Sequence, residues 1–143
     1  MAMTECFDLD RFVQAQEPVI DQVRQELAEG RKRTHWMWFV FPQLRGLGHS
    51  AMAQLYGLDG RAEAEAFLRH PVLGPRLRDC TDLVLTARPA SISDMFGYPD
   101  DMKFHSSMTL FAALPGAPEC FHTALTTFFD GRQDQNTLRL LRG

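Results

Sequence analysis

Residues 34–48 read Thr-His-Trp-Met-Trp-Phe-Val-Phe-Pro-Gln-Leu-Arg-Gly-Leu-Gly. They carry both tryptophans of the chain in one apolar run, Trp36 to Phe41, entered through Arg31, Lys32 and Arg33. A run with no polar face cannot lie on a surface as an amphipathic helix does, so it has to be covered on every side. The segment is therefore expected at the centre of the molecule, with the other elements closed around it. Thr34 reads as a helix cap and Pro42 as the stop, because proline pushes the residue before it out of helical geometry. A buried strand is the competing reading, since period does not separate the two in a uniformly apolar run. Helix is preferred because the neighbours on both sides read as helices and no partner strand is evident.

Elsewhere, glycine and proline cut the chain into lengths that suit short helices. Val19, Ile20, Val23 and Leu27 follow Pro18, which suits a first helical position, and Gly30 reads as their stop. Before them, Leu9, Phe12, Val13 and Gln16 form a shorter helical stretch with Asp8 as its cap. Ser50 to Tyr56 ends at Gly57, and Arg61 to Arg69 ends before Pro71. Leu73, Leu77, Cys80 and Val84 recur at spacings of four, three and four, which aligns them on one face. Ser91 to Phe96 closes at Gly97, and Asp100 or Asp101 starts a helix that reaches about Leu114. Phe121, Ala124, Leu125 and Phe128 form another stripe stopped by Gly131, and Leu138 to Leu141 makes a short terminal helix. The expectation is an all-α fold, one compact domain over residues 1–143 with about seven to nine short helices.

With 45% hydrophobic and 23% charged residues, the chain has the balance of a folded globular protein and is too apolar for intrinsic disorder. A net charge of −3 argues against a protein whose work is coating nucleic acid, because that affinity comes largely from neutralised phosphates. The basic triplet ahead of two tryptophans would suit single strands only if the rings were exposed, so nucleic acid is not the expected partner. No apolar stretch approaches the roughly 18 residues that cross a bilayer, so no membrane partner is expected. The first ten residues carry Glu5, Asp8 and Asp10 where a leader peptide would be basic and then apolar, and the expected location is the cytoplasm. Cys6, Cys80 and Cys120 are odd in number and widely spaced, so reduced thiols are expected.

The string from Arg31 to Leu44, followed by Gly46-Leu47-Gly48, resembles the signature of domain of unknown function family 1810, a bacterial, multihelical set. Further matching pieces are His70-Pro71-Val72-Leu73-Gly74-Pro75-Arg76-Leu77, then Phe96-Gly97 with Asp101 and Lys103, then Ser106-Ser107-Met108-Thr109-Leu110-Phe111. They run in order through nearly the whole chain. The resemblance implies an all-α domain and brings no established reaction. A fainter likeness to the helical NADAR N-glycosidase families rests on a short helix ending in Phe96-Gly97 before acidic and basic residues and a last core helix. The glycine-rich loop and full catalytic pattern of those families are missing here.

Two groups of residues have the chemistry for a site. In the first, His35 can exchange a proton near neutral pH, Trp36 and Trp38 can stack on a planar ligand, and Gln43, with Arg45 beyond it, can bond a ligand's edge. Against this, aromatic residues at such density usually form core, and His35 can simply satisfy a carbonyl. In the second, Lys103, Ser106 and Ser107 share one helix face by spacings of three and four, offering a cation and two hydroxyls to an oxygen-rich ligand. The alternative is that Lys103 pairs with Asp100 or reaches solvent while the serines bond carbonyls one turn back. Asp100 and Asp101 point about 100° apart on a helix and do not form a dyad sharing a proton. The five histidines show no metal-site spacing, Cys80 falls on a core face, and neither a metal nor a cofactor is expected.

The leading reading is a small-ligand pocket between the two groups, for a nucleotide or ADP-ribose-like compound, with His35 and Lys103 as the candidates if it turns substrate over. A noncatalytic module that binds another protein is the rival, and an N-glycosidase acting on ADP-ribose or nucleotide derivatives is a remoter alternative. The oligomeric state is left open.

Overall fold

A computed structural model describes residues 7–142. Cys6 and Glu5 therefore lie outside the described residues. Ten helices follow one another, with no strand among the described residues. They are α1 (Asp10–Gln16), α2 (Ile20–Ala28), α3 (Met37–Val40), α4 (Ala51–Tyr56), α5 (Arg61–Arg69), α6 (Leu73–Ala87), α7 (Ile92–Phe96), α8 (Asp100–Ala112), α9 (Glu119–Phe129) and α10 (Gln135–Arg142). The all-α expectation holds, with one more helix than the upper end of the expected count.

The helix starts read at Ser50 and Ser91 fall where expected, with each serine serving as the cap of the helix that follows it. Ser50 accepts from the Ala53 N–H at 3.1 Å and starts α4; Ser91 accepts from the Asp94 N–H at 3.0 Å and starts α7. Gly30, Gly97 and Gly131 each take a positive φ just beyond a helix, the conformation that glycine reaches without strain. Four other limits differ. The last helix begins at Gln135, three residues before Leu138. Leu9 precedes α1 and makes no side-chain cap, and Asp8 instead lends its carbonyl to Arg11. Pro18 sits in the turn before Ile20, not in the first helical position. Helix α8 ends at Ala112, two residues short of Leu114.

Two helices organise the packing. Helix α6 contacts α2, α5, α9 and α3, while α8 is wrapped by α9, α7, α10 and α5. That surrounds α8 so fully that Phe104 and the seven residues from Ser106 to Ala112 are buried. The core around it is largely aromatic. Phe104 stacks with Phe96 at 5.0 Å between ring centres and meets Phe41 edge-on at 5.1 Å; on the far side Phe111 packs with Phe67 and Phe121. Offset and edge-to-face arrangements of this kind add to the burial itself.

The tryptophan run departs from expectation. Only Met37 to Val40 is helical, a single turn, and Thr34 does not cap it. Trp36, Met37, Phe39, Val40 and Phe41 are buried as expected, but Trp38 is only half-buried. The reason lies in α2. Glu26 is fully buried, and its carboxylate accepts from the Arg33 N–H at 2.8 Å, the Thr34 N–H at 3.1 Å, the Thr34 hydroxyl at 2.7 Å and the Trp36 indole Nε1–H at 2.9 Å. Gln22 supplies a fifth donor at 2.9 Å. Five donors on one carboxylate hold residues 33–36 in a loop folded over the end of α2, which leaves room for only one helical turn before Pro42. The chain then runs extended far enough for Leu44 and Leu58 to form one isolated parallel bridge.

Burial pushes the Glu26 carboxyl up, but its hydrogen bonds outweigh that and hold it down at about 2, against 4.5 for an ordinary glutamate. The unfolded chain takes up a proton near 4.5 while the folded one does not. Glu26 therefore stabilises the fold fully above about pH 4.5, and the contribution, about 3 kcal/mol, disappears as pH falls toward 2. Denaturant unfolding at pH 7 should show Glu26→Gln less stable than the parent by about 3 kcal/mol, with the gap narrowing steadily from pH 4.5 to pH 3. Trp36→Ala, which removes a buried ring and one Glu26 donor together, should cost roughly 3 to 5 kcal/mol in the same assay.

Candidate functional site

Lys32, the residue directly before the Glu26-bound loop segment that begins at Arg33, is directed inward. Its Nζ lies 2.8 Å from the Asp100 carboxylate and 5.2 Å from the centre of the Trp36 ring, and the side chain is only 7% exposed. Asp100 opens α8, where a negative charge suits the positive helix end. Lys103, one turn later, reaches back to the same carboxylate at a looser 3.6 Å and sits 4.9 Å over the Trp38 ring. One carboxylate thus serves two ammonium groups, each resting on the face of one tryptophan. Because Lys32 holds the closer bond, the positive charge of Lys103 is the less neutralised of the two.

Lys103 stands where two hollows meet. One is a narrow apolar notch of about 10 Å³, room for a single water, walled by Trp38, Phe41, Tyr56 and the backbone at Gly57. No side chain larger than hydrogen fits at residue 57, where a Cβ would come within 2.7 Å of the Ala53 carbonyl oxygen and the Arg45 Cα. The other hollow is an open crevice of about 380 Å³, within the roughly 300–1,000 Å³ typical of small-molecule sites. Gln43, Ala53 and Lys103 border both. The crevice is polar along its floor, with Ser106, His105 and Asp134, and carries Tyr98 and Met102 at its rim, 81% and 58% exposed.

The floor is rigidly built. Three side chains of α8 fasten the turn that precedes α10: His105 Nε2–H donates to the Arg132 carbonyl at 2.8 Å, the Ser106 hydroxyl donates to Asp134 at 3.0 Å, and Thr109 Oγ accepts from the Asp134 N–H at 2.9 Å. The His105 ring also lies nearly parallel to Phe129 with 4.0 Å between centres, so it has little freedom to turn.

Of the residues singled out from the sequence, Trp38, Gln43, Lys103 and Ser106 come together around these hollows. The others do not. Trp36 is 1% exposed and offers no face to a ligand, so the core reading holds for it. His35 is exposed and lines neither hollow. The Arg45 guanidinium is occupied by the carbonyls of Gln54 and Gly57, at 3.0 and 2.9 Å, and by the Asp59 carboxylate, so it braces the turn between α4 and α5. Ser107 is fully buried and its hydroxyl has no partner among the described residues. The serines do not bond carbonyls one turn back. Asp100 and Asp101 point apart as expected, Asp101 accepting from Ser93 at 2.7 Å.

The crevice residues that the sequence did not point to include His49, Tyr98, His105, Asp134 and Asn136. His49 reaches the wall on the loop after Gly46-Leu47-Gly48, and Asp134 comes from a segment some thirty residues beyond Lys103, at a separation where spacing carries no signal. Among the described residues no three His, Cys, Asp or Glu side chains converge as metal ligands. Burial pushes the Cys80 thiol up to about 12 and Cys120 to about 11, so neither is a nucleophilic thiolate near neutral pH. No helix among the described residues is long and apolar enough to cross a membrane.

The model of a family described as a protein of unknown function (DUF1810) matches residues 6–141. The fold is also similar to the crystal structure of the conserved hypothetical protein Rv1873 from Mycobacterium tuberculosis. The two are 52% identical over 96% of this chain and 98% of that one, with a TM-score of 0.93. No curated protein matches the chain.

Removing the shared anion should be worse than removing the cation that faces the crevice. Asp100→Asn leaves the buried Lys32 ammonium without its counter-charge and should cost about 2 kcal/mol or more, whereas Lys103→Gln should stay within about 1 kcal/mol. Urea unfolding of the two variants at neutral pH measures both.

Proposed function

Since this chain belongs to the DUF1810 family of proteins of unknown function, no known reaction accompanies its fold, and we propose that it binds a small anionic ligand of the nucleotide or ADP-ribose class in the crevice beside Lys103. The observation that carries this reading is the division of Asp100 between two lysines: Lys32 takes the close bond at 2.8 Å, leaving Lys103 on the crevice wall with only a 3.6 Å contact. A cation held over an aromatic face and short of counter-charge favours an incoming anion, and the neighbouring walls exclude part of the water that would screen it. The crevice volume and its mixture of apolar walls with a few fixed polar groups suit a small molecule better than an extended partner.

The reading takes residues 1–143 as one intracellular domain. It assigns binding to Lys103, Gln43 and Ser106, with Trp38 supporting Lys103 from below. His35 and Arg45 have no part in it, because neither lines the crevice. A protein-binding module would need a broader apolar surface than the crevice rim provides, where Tyr98 and Met102 are the exposed large apolar residues.

A thermal-shift screen of nucleotides, ADP-ribose, sugar phosphates, nucleosides and amino acids tests the proposal. A ligand at a hundred times its Kd adds about 2.7 kcal/mol to stability and should raise Tm by several degrees. Phosphate-bearing compounds should shift the parent and fail to shift Lys103→Gln, while nucleosides shift neither. A library with no hit at millimolar concentration, or a hit that Lys103→Gln leaves unchanged, would sink the proposal.

A further inference from the structure

Resting on that reading of the crevice, we infer that Asp134 is a second recognition group and that the ligand is a phosphorylated ribose with a free vicinal diol. Asp134 directly precedes α10 and caps it. Its Oδ2 accepts from the Thr137 N–H at 3.1 Å, the Thr137 hydroxyl at 2.5 Å and the Ser106 hydroxyl at 3.0 Å. All three bonds fall on Oδ2. Among the described residues Oδ1 accepts none, and no cation pairs with this half-buried carboxylate.

Capping alone does not require a charge there, since asparagine or serine caps a helix as well as aspartate. Placing an unpaired carboxylate in a partly enclosed crevice carries a desolvation cost that a neutral cap avoids. What the charge adds is an acceptor with unused lone pairs, facing the same crevice as Lys103. Lys103 and Ser106 are attached roughly 4.5 Å apart along α8, and Ser106 holds Asp134. The crevice therefore presents a cation and, one turn further on, a carboxylate oxygen.

A ligand that satisfies both ends needs an anionic group and, a short distance away, hydrogen-bond donors. Vicinal ribose hydroxyls donate together to one carboxylate, the means by which acidic residues hold ribose in dinucleotide-binding folds. Charge fixes the orientation: a phosphate is drawn to Lys103 and repelled by Asp134, so the diol lies at Asp134. The exposed Tyr98 ring at the rim offers an apolar face to a base. An α-amino acid also joins an anion to a donor, its ammonium taking the place of the diol, and is separated from ribose by experiment.

The test is calorimetric titration of AMP, 2′,3′-dideoxy-AMP and glutamate into the parent, Asp134→Asn and Lys103→Gln. Asp134→Asn keeps a capping side chain, and its Tm confirms that it folds. The parent should bind AMP at least tenfold tighter than the dideoxy nucleotide, the scale of a hydrogen bond to a charged group. Asp134→Asn should lose about tenfold for AMP and nothing for the dideoxy compound. If both nucleotides bind the parent alike and weaken together in Lys103→Gln, the diol assignment is overturned while the anion site stands. Equal losses for both nucleotides in Asp134→Asn also overturn it, as does glutamate binding in preference to AMP. If no phosphate compound binds the parent at all, the crevice reading itself fails. Should Asp134→Asn prove unstable, the comparison of the two nucleotides in the parent decides alone.

Discussion

The buried Glu26 carboxylate is the constraint on which the rest of this molecule depends. A charge at 0% exposure is tolerable only if its lone pairs are filled, and five donors fill them. Among the described residues no cation meets Glu26; its charge is balanced by N–H and O–H dipoles alone. Because three of those donors come from residues 33 and 34 and one from Trp36, satisfying the charge fixes the path of the loop. The indole is turned inward to reach the carboxylate, which also sets it against Phe41 and Phe96, with ring centres 6.2 and 6.4 Å away.

From that loop the placement of the candidate site follows by short steps. Lys32, whose N–H bonds the Met95 carbonyl at 2.8 Å, is carried to the start of α8, where Asp100 receives its ammonium. The same carboxylate steadies Lys103, and Lys103 covers Trp38. Core and crevice are thus joined through a chain of charge: a carboxylate on α2 orders a loop, the loop delivers a lysine, and that lysine takes the closer bond to the Asp100 carboxylate that also pairs with Lys103. The polar floor beyond it belongs to α8, whose residues 105, 106 and 109 pin the turn ahead of α10. A helix buried this deeply has few polar positions to spend, and three of them go to holding Asp134 and its turn in place.

Much of the fold was legible because its signals are local. Ser50 and Ser91 bond N–H groups three residues away, and Gly30, Gly97 and Gly131 take the backbone conformation that ends a helix; each decision involves only neighbours in sequence. Asp8 and Thr34 have the same capping chemistry but failed as caps. Thr34 was claimed by Glu26, eight residues away in sequence, and Asp8 contributes its carbonyl to Arg11. Trp38 was misplaced for a related reason. An all-apolar run suggests burial on all sides, yet at Trp38 a lysine from another helix takes over one face and lets the ring stay near the surface. In the candidate site, Lys103 and Ser106 were found together because a helical period places them together, while Asp134 and Tyr98 arrive from other segments and carry no mark of it.

The sequence by itself determined that this chain is all-helical, where most of its helices stop, which face of α6 enters the core, and the family to which it belongs, since all of these rest on period, caps, breakers and ordered motifs. Only the tertiary structure decided which tryptophan is core and which supports a cation, that Arg45 braces a turn, and that Asp134 lines the same crevice as Lys103. The physical reason is that an apolar period needs only the chain's own geometry to be read, whereas the fate of a polar group depends on which distant partner satisfies it. For Glu26, Asp100 and Asp134 those partners exist only once the helices have packed.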